Sequence, residues 1–430
     1  MKEHYHKVLD ETFFEKVLPN GLTVRLVPKP GYHRSYGILT THYGSVDQVV
    51  RDKETGEEKT IPAGAAHFLE HKMFEGQGGL DAFALFMKQG AMANAFTHYF
   101  QTSYLFSASY YIERNVETLL DFVQTPYFTP EGIEKEKGII TQELYMYQDD
   151  PLGVSYQALN QALYPDHPLG IDILGTEESI KATTYEDLRL AYDTFYHPSN
   201  MNLIVVGNFD PQALLAVIEA NQALKTFEPP RYQRVVEGVT APVLPKTQLE
   251  RDISQPIIEL AWRFSPQKLS GLEMIRQRII GEVFFELLMG PMSTAYASWY
   301  QQQWVDTNFY QSYQLDHMMH HLAIHAQSHH APDLIAAIKE LLSNWQQNPD
   351  LTEEHLKQVV TGRVGDFLQH LNSLEFIAYE LIEAVMDDYE LADILTCLQE
   401  IKLSDLQDFG HRVLSDASEA VEVLVNPISE

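Results

Sequence analysis

The chain has 430 residues, too many for one hydrophobic core, and its 45% hydrophobic and 11% aromatic content is that of a globular protein with two domains of roughly 200 residues each. A formal net charge of −30 excludes a nucleic-acid partner, whose phosphates it would repel, and is compatible with basic peptides. No apolar run is long enough to span a membrane, the start Met1–Val17 is charged and polar, and Cys397 is the single cysteine, so no disulfide framework is possible and we expect the cytoplasm.

In chain order, two β-rich runs between Thr12 and Pro28 flank Leu18-Pro19-Asn20-Gly21-Leu22, and Asn-Gly marks a tight hairpin turn. A strand is expected over Ser35–Tyr43, then a polar surface loop from Arg51 to Lys59. A helix should start near Ala63 and a second run from Leu80 to Lys88, stopped by Gly90. Ala91–Thr97 and Thr102–Ser109 read as adjacent strands of a sheet close to the first helix, and Ile112–Val123 as an amphipathic helix. Pro130 opens a helix reaching Tyr147, on which Glu136 and Glu143, two turns apart, share a face. Helical patterns follow over 152–163 and 184–195, then a buried strand over Met201–Val206.

The segment 227–246, with Pro229, Pro230, Pro242 and Pro245, reads as a linker between a domain of residues 1–226 and a domain of residues 247–430. The second half should hold strands at 257–264, 308–316 and 321–328, helices at 272–289 and 294–303, and further helices to about Val413. Asp187-Leu188 and Asn208 recur as Asp405-Leu406 and Asn426, in each case with a helix leading into an aliphatic strand, which suggests a duplicated α+β unit. Cys397, inside an apolar helical pattern, reads as a packed core thiol.

The chemistry concentrates in His67-Phe68-Leu69-Glu70-His71. At helical spacing His67, Glu70 and His71 lie on one face, while Phe68, Leu69, Met73 and Phe74 supply apolar surface for burial. Two neutral imidazoles four apart can bind one Zn²⁺, with the carboxylate between them beside the activated water as general base. This inverted H-x-x-E-H order is that of the inverzincins. A hydrolytic zinc site needs a third protein ligand, for which we select Glu143, with Glu136 behind it to orient a ligand histidine. His317, His320, His321, His325, His329 and His330 form a rival histidine-rich stretch, read as strand histidines because only Asp316 accompanies them.

Over roughly residues 12–215 the sequence resembles the pitrilysin/insulysin peptidases, a family that includes mitochondrial processing peptidase. The likeness rests on Leu18–Leu22, Gly44-Ser45, the H-x-x-E-H segment with Phe74 and Gly76, Asn94-Ala95 before Thr97, Glu136 and Glu143 around Ile139-Ile140, Tyr147–Pro151, Gly175-Thr176, and Phe195-Tyr196 through Gly207-Asn208. It is nearest to the small bacterial cytoplasmic members, which occur beside a homologue without the zinc motif.

The resemblance implies an α+β fold of two homologous domains, each an antiparallel sheet flanked by helices, facing each other across a chamber. It implies a zinc metalloendopeptidase acting on short or unfolded peptides, with one Zn²⁺ per chain on His67, His71 and Glu143, Glu136 behind them and Glu70 catalytic. Asn94, Ala95 and Phe96 then fall on a substrate edge where an extended peptide adds as a strand. A homodimer, or a heterodimer with a homologue lacking the motif, is the implied assembly. Two departures stand out. Family members offer an Arg and a Tyr from the second domain to polarise the scissile carbonyl, whereas Ala295–Phe309 contains no Arg; Tyr300 and Tyr310 are the remaining candidates, although both read first as core aromatics. Lys72 stands where an apolar residue usually follows the motif. These departures point to an alternative, a zinc-binding but catalytically weak peptide-binding or assembly subunit.

Overall fold

The computed structural model describes residues 1–6, 8–76, 80–236 and 238–428; Glu237, inside the segment read as a linker, lies outside them. The chain divides into two compact units. One comprises residues 1–145, 171–237 and 371–386, the other residues 146–170, 238–370 and 387–430. The expected contiguous division at 227–246 thus assigns 146–170 and 371–386 to the wrong sheets, because each of these segments packs with the other half of the sequence.

In the first unit the Asn20-Gly21 turn works as expected. Gly21 takes φ 93°, the Asn20 side chain accepts from the Leu22 N–H at 3.1 Å, and Glu11–Val17 pairs antiparallel with Thr23–Pro28. Among the described residues, seven strands form the sheet, in the order Lys2–His6, Glu11–Val17, Thr23–Pro28, Met201–Gly207, Ser35–Thr41, Thr102–Ala108, Ala91–Thr97. The first of these, Lys2–His6, has no counterpart in the sequence reading. All pairs are antiparallel except Met201–Gly207 on Thr23–Pro28, so the expected antiparallel sheet is a mixed one. Ala91–Thr97 is an edge.

One face of this sheet carries Val24, Leu26, Leu39, Tyr104, Phe106, Leu203 and Val205, packed in one core with Val116, Leu119, Leu120 and Val123 of helix Ile112–Gln124. Those four positions recur at helical spacing, which is why the segment folds as an amphipathic helix. The opposite face carries Tyr36, Ile38 and Ile204, also buried. It is met by helix Leu374–Asp387, where the Tyr379 and Tyr36 hydroxyls lie 3.3 Å apart and Arg34 pairs with Glu375 at 2.6 Å.

The polar stretch expected as a loop contains strands Val49–Asp52 and Glu58–Thr60, paired with each other. Tyr232–Arg234, from the segment expected to be a free linker, adds to them as a third strand. Arg231 reaches Asp52 at 2.6 Å and Arg234 pairs with Asp47, so charge pairing anchors this part of the proline-rich segment to the first unit.

The second unit repeats the design. Its strands run in the order Lys246–Arg251, Val421–Pro427, Ile257–Arg263, His320–Gln327, Tyr310–Leu315. The single parallel pair, Lys246–Arg251 with Val421–Pro427, occupies the place that Thr23–Pro28 with Met201–Gly207 holds in the first sheet. The sequence echo is therefore structural: Asp187 and Asp405 each accept from the backbone N–H of the N-cap residue, Thr184 and Lys402, at the start of the helix before the repeated strand.

Helix Pro151–Leu163 packs on Ile257–Arg263 and Val421–Pro427, and a buried polar contact fixes it there. The Ser155 hydroxyl donates to Glu259 Oε1 at 2.8 Å, and His325 Nδ1 meets the same oxygen at 2.7 Å. Glu259→Ala takes the carboxylate from buried His325 and leaves the Ser155 hydroxyl only the Leu152 carbonyl, and it should destabilise the chain by about 2 kcal/mol, read as a lower urea midpoint; a shift below about 1 kcal/mol would show that the contact does not hold the helix. Cys397 is a buried free thiol, 3% exposed, as expected of a core position.

Candidate metal centre and peptide edge

The H-x-x-E-H segment forms helix Ala65–Met73. Its start is set by two glycines that approach each other's backbone. Gly64 has φ 85°, and a Cβ there would lie 2.2 Å from the Leu174 carbonyl oxygen, while a Cβ on Gly175 would lie 2.5 Å from that of Ala63. No side chain larger than glycine fits either position, and the close approach pins the helix start to the Leu174-Gly175 turn. Phe68, Leu69 and Met73 are at most 2% exposed, and their burial contributes about 1.5–3 kcal/mol each. That packing fixes which way the polar face points.

On that face His67 Nε2 lies 3.7 Å from Glu143 Oε1 and His71 Nε2 3.4 Å from Glu143 Oε2. Glu143 comes from helix Pro130–Asp149. Among the described residues, His67, His71 and Glu143 are the one set of three His, Cys, Asp or Glu side chains whose ligand atoms, here within 4.8 Å of one another, could share a metal ion. The spacing suits zinc. Ligands about 2.0–2.1 Å from a tetrahedral ion stand about 3.3–3.4 Å apart, shorter than the His67 contact by a few tenths and close to that of His71.

Charge asks for a cation as well. Burial, helped by His71, lowers the His67 pKa to about 4, which keeps its imidazole neutral and able to ligate. Burial also pushes His71 down, but its hydrogen bonds to Glu136 and Glu143 outweigh that and raise it to about 9: without a metal, the two carboxylates hold a proton there. His71 Nδ1 is 3.0 Å from Glu136 Oε1, so Glu136 orients the ring and leaves Nε2 turned toward Glu143. The hydrogen bond to His71 holds Glu143 below its ordinary value.

Glu70 stands apart from the three donors. Burial raises its pKa, and its Oε2 accepts from the Thr97 hydroxyl at 2.6 Å. Thr97 ends the edge strand Ala91–Thr97. Strand alternation puts Ala93, Ala95 and Thr97 on the side facing the helix and Met92, Asn94 and Phe96 on the other. Asn94 is exposed, Ala95 and Phe96 half-buried. The Ala95 N–H donates to the Asn94 side chain at 2.9 Å, and Phe96 lies 5.5 Å from the Tyr379 ring. Alternation from the sheet edge could have flagged Thr97; nothing in the sequence places Tyr379 there.

Three of the rival histidines have hydrogen-bonding partners within the second unit. His320 meets the Tyr313 hydroxyl, His321 the Tyr164 hydroxyl and His325 the Glu259 carboxylate, each at 2.7 Å. Tyr300 and Tyr310 are 52% and 54% exposed, so neither is a core aromatic. Tyr300 stacks on Tyr296, and Tyr310 on the His325 ring, 5.0 Å between centroids.

Fold and site thus define a two-unit α+β protein in which an inverted H-x-x-E-H segment and Glu143 form a candidate metal centre. The family model Insulinase (Peptidase family M16) matches residues 55–177, and Peptidase M16 inactive domain matches residues 182–362. The chain is 37% identical over 407 residues to the uncharacterized zinc protease YmfH of Bacillus subtilis (strain 168), covering 94% of each. It is 31% identical over 212 residues to the mitochondrial-processing peptidase subunit beta of Blastocladiella emersonii, covering 47% of this chain and 43% of that one. A crystal structure described as an M16-like peptidase from Alicyclobacillus acidocaldarius aligns with a TM-score of 0.92 at 34% identity, over 97% of this chain and 99% of that one. The chain belongs to the M16 family, the pitrilysin/insulysin peptidases.

Proposed function

We propose that the chain is a zinc-dependent metalloendopeptidase cutting short or unfolded peptides. The observation that carries this reading is the convergence of His67, His71 and Glu143 beside a carboxylate, Glu70, that binds none of them and instead touches the edge strand. Zn²⁺ held by the three side chains would polarise a scissile carbonyl and bring the pKa of water near neutrality.

The protein's own groups do the rest. Glu136 keeps the His71 ring in place. Thr97 occupies one oxygen of Glu70, leaving Oε1 to take a proton from the attacking water and return it to the leaving amine. Asn94, Ala95 and Phe96 present an unpaired strand edge to an extended peptide, which reads backbone more than side chains. The Asn94 amide, now on the Ala95 N–H, would exchange for the peptide's backbone. Among the described residues no helix is long and apolar enough to cross a membrane, and a lone buried thiol suits a reducing compartment, the cytoplasm.

One observation favours a second reading, that of a zinc-binding but weakly active subunit. No Arg lies between Ala295 and Phe309. The hydroxyls of Tyr300 and Tyr310 are the remaining groups there for polarising a carbonyl, and a second copy or a homologue without the motif would supply the missing cation. Purified chain should carry one zinc and cleave an unstructured peptide, lose that activity to a chelator and regain it with zinc. Stoichiometric zinc with no cleavage above that of Glu70→Gln would overturn the peptidase reading in favour of the subunit.

A further inference from the structure

Lys72 has no part in the chemistry above, yet its side chain is 0% exposed, one residue past His71. An ammonium is costly to bury unless charges compensate it. Its Nζ lies 2.6 Å from Glu75 Oε2 and 3.8 Å from Glu136 Oε2. The other oxygen of Glu136, Oε1, is the one on His71 Nδ1. Glu136 thus lies between two groups, one oxygen toward each: a buried ammonium with no well-aligned hydrogen bond of its own, at ion-pair rather than hydrogen-bond distance, and a candidate metal-site imidazole that it does hydrogen-bond.

Helix Pro130–Asp149 leaves room for this. A Cβ on Gly132 would lie 3.1 Å from Lys72 Nζ and 3.2 Å from Glu75 Oε2, so glycine there spares the ammonium a crowding methyl. The position also suits a cation electrostatically, since Lys72 lies in the last turn of helix Ala65–Met73, where the helix dipole is negative.

We propose that Lys72 is a positioning residue for the metal centre: it holds the Glu136 carboxylate so that Oε1 stays on His71 Nδ1 and His71 Nε2 stays directed at the ion. This rests on the metal-site reading and not on peptidase activity. With the ammonium removed, Glu136 can rotate away from His71, and the imidazole loses its fixed tautomer and orientation.

The test is a double-mutant cycle on the full chain, with the zinc dissociation constant measured by chelator competition and thermal unfolding of the metal-free protein as control. Lys72→Met should weaken zinc about 10-fold and Glu136→Gln about 10- to 100-fold, whereas Lys72→Met added to Glu136→Gln should weaken it no further. An unchanged constant in Lys72→Met, or a double variant weakened by the product of the two single effects, would overturn the proposal. Should Lys72→Met fail to fold, Gly132→Ala crowds the ammonium, Glu75 and the Thr129 hydroxyl without removing any of them. It should weaken zinc in the wild-type background but not in Glu136→Gln, and equal zinc affinity with and without the methyl would be equally fatal. A wild-type chain that binds no zinc would instead remove the metal-site reading itself.

Discussion

Glu70→Gln should leave zinc bound at the wild-type level while lowering kcat/KM on an unstructured peptide by about 10³-fold, or about 4 kcal/mol of transition-state stabilisation. Glutamine has the same shape, and its carbonyl oxygen can still accept from Thr97, so the helix face and the edge strand stay in place. What it lacks is a site for a proton. Glu70 is outside the group of converging ligand atoms, so its loss removes no donor from the metal. Metal analysis and steady-state cleavage on the same preparation separate the two roles. Turnover reduced less than about tenfold would exclude Glu70 as the base, since general acid–base catalysis contributes typically about 10²–10⁴-fold. Lost zinc would make it a ligand instead.

Glu143→Gln should have the opposite signature. Glu143 is the only anionic one of the three side chains, and it faces both imidazoles. Its replacement by a neutral amide should weaken zinc by more than the roughly 10- to 100-fold expected for an outer carboxylate such as Glu136. Activity should fall in proportion to bound metal and recover in part at high zinc. Chelator competition on Glu143→Gln and Glu136→Gln side by side checks the ranking. Zinc affinity unchanged in Glu143→Gln, or weaker in Glu136→Gln than in Glu143→Gln, would exchange their roles.

The candidate metal centre is legible in the sequence because the residues it brings together are local. His67, Glu70 and His71 must share one helix face, and Glu136 and Glu143 another, so spacing alone brings out both sets. The strand edge at Asn94–Phe96 is legible only through the family likeness, since nothing in Ala91–Thr97 itself says which neighbour it lacks. What escapes is set by partners far along the chain. Lys2–His6 becomes a strand because Glu11–Val17 offers it an edge, and Tyr232–Arg234 docks because Val49–Asp52 does the same. Residues 374–387 read only as part of the helical run to about Val413, with no address for the face they cover. The exposure of Tyr300 and Tyr310 fails for a related reason. An aromatic side chain reads as core by composition, and only the fold shows which ones remain at the surface. Lys72 is the converse, a charge that composition puts in water and that Glu75 and Glu136 draw inside.

The crossing of 371–386 into the first unit has a consequence for biosynthesis. The candidate metal ligands are all made by residue 143, and the sheet behind them is complete once Met201–Gly207 has been added. Yet the Tyr36 face of that sheet stays uncovered until a helix more than 160 residues downstream leaves the ribosome. Domains ordinarily fold as units in the order they are synthesised; here the earlier-made unit must wait for the later half. A nascent chain would therefore carry the His67, His71 and Glu143 cluster on a completed sheet with one face still bare until helix Leu374–Asp387 has been made.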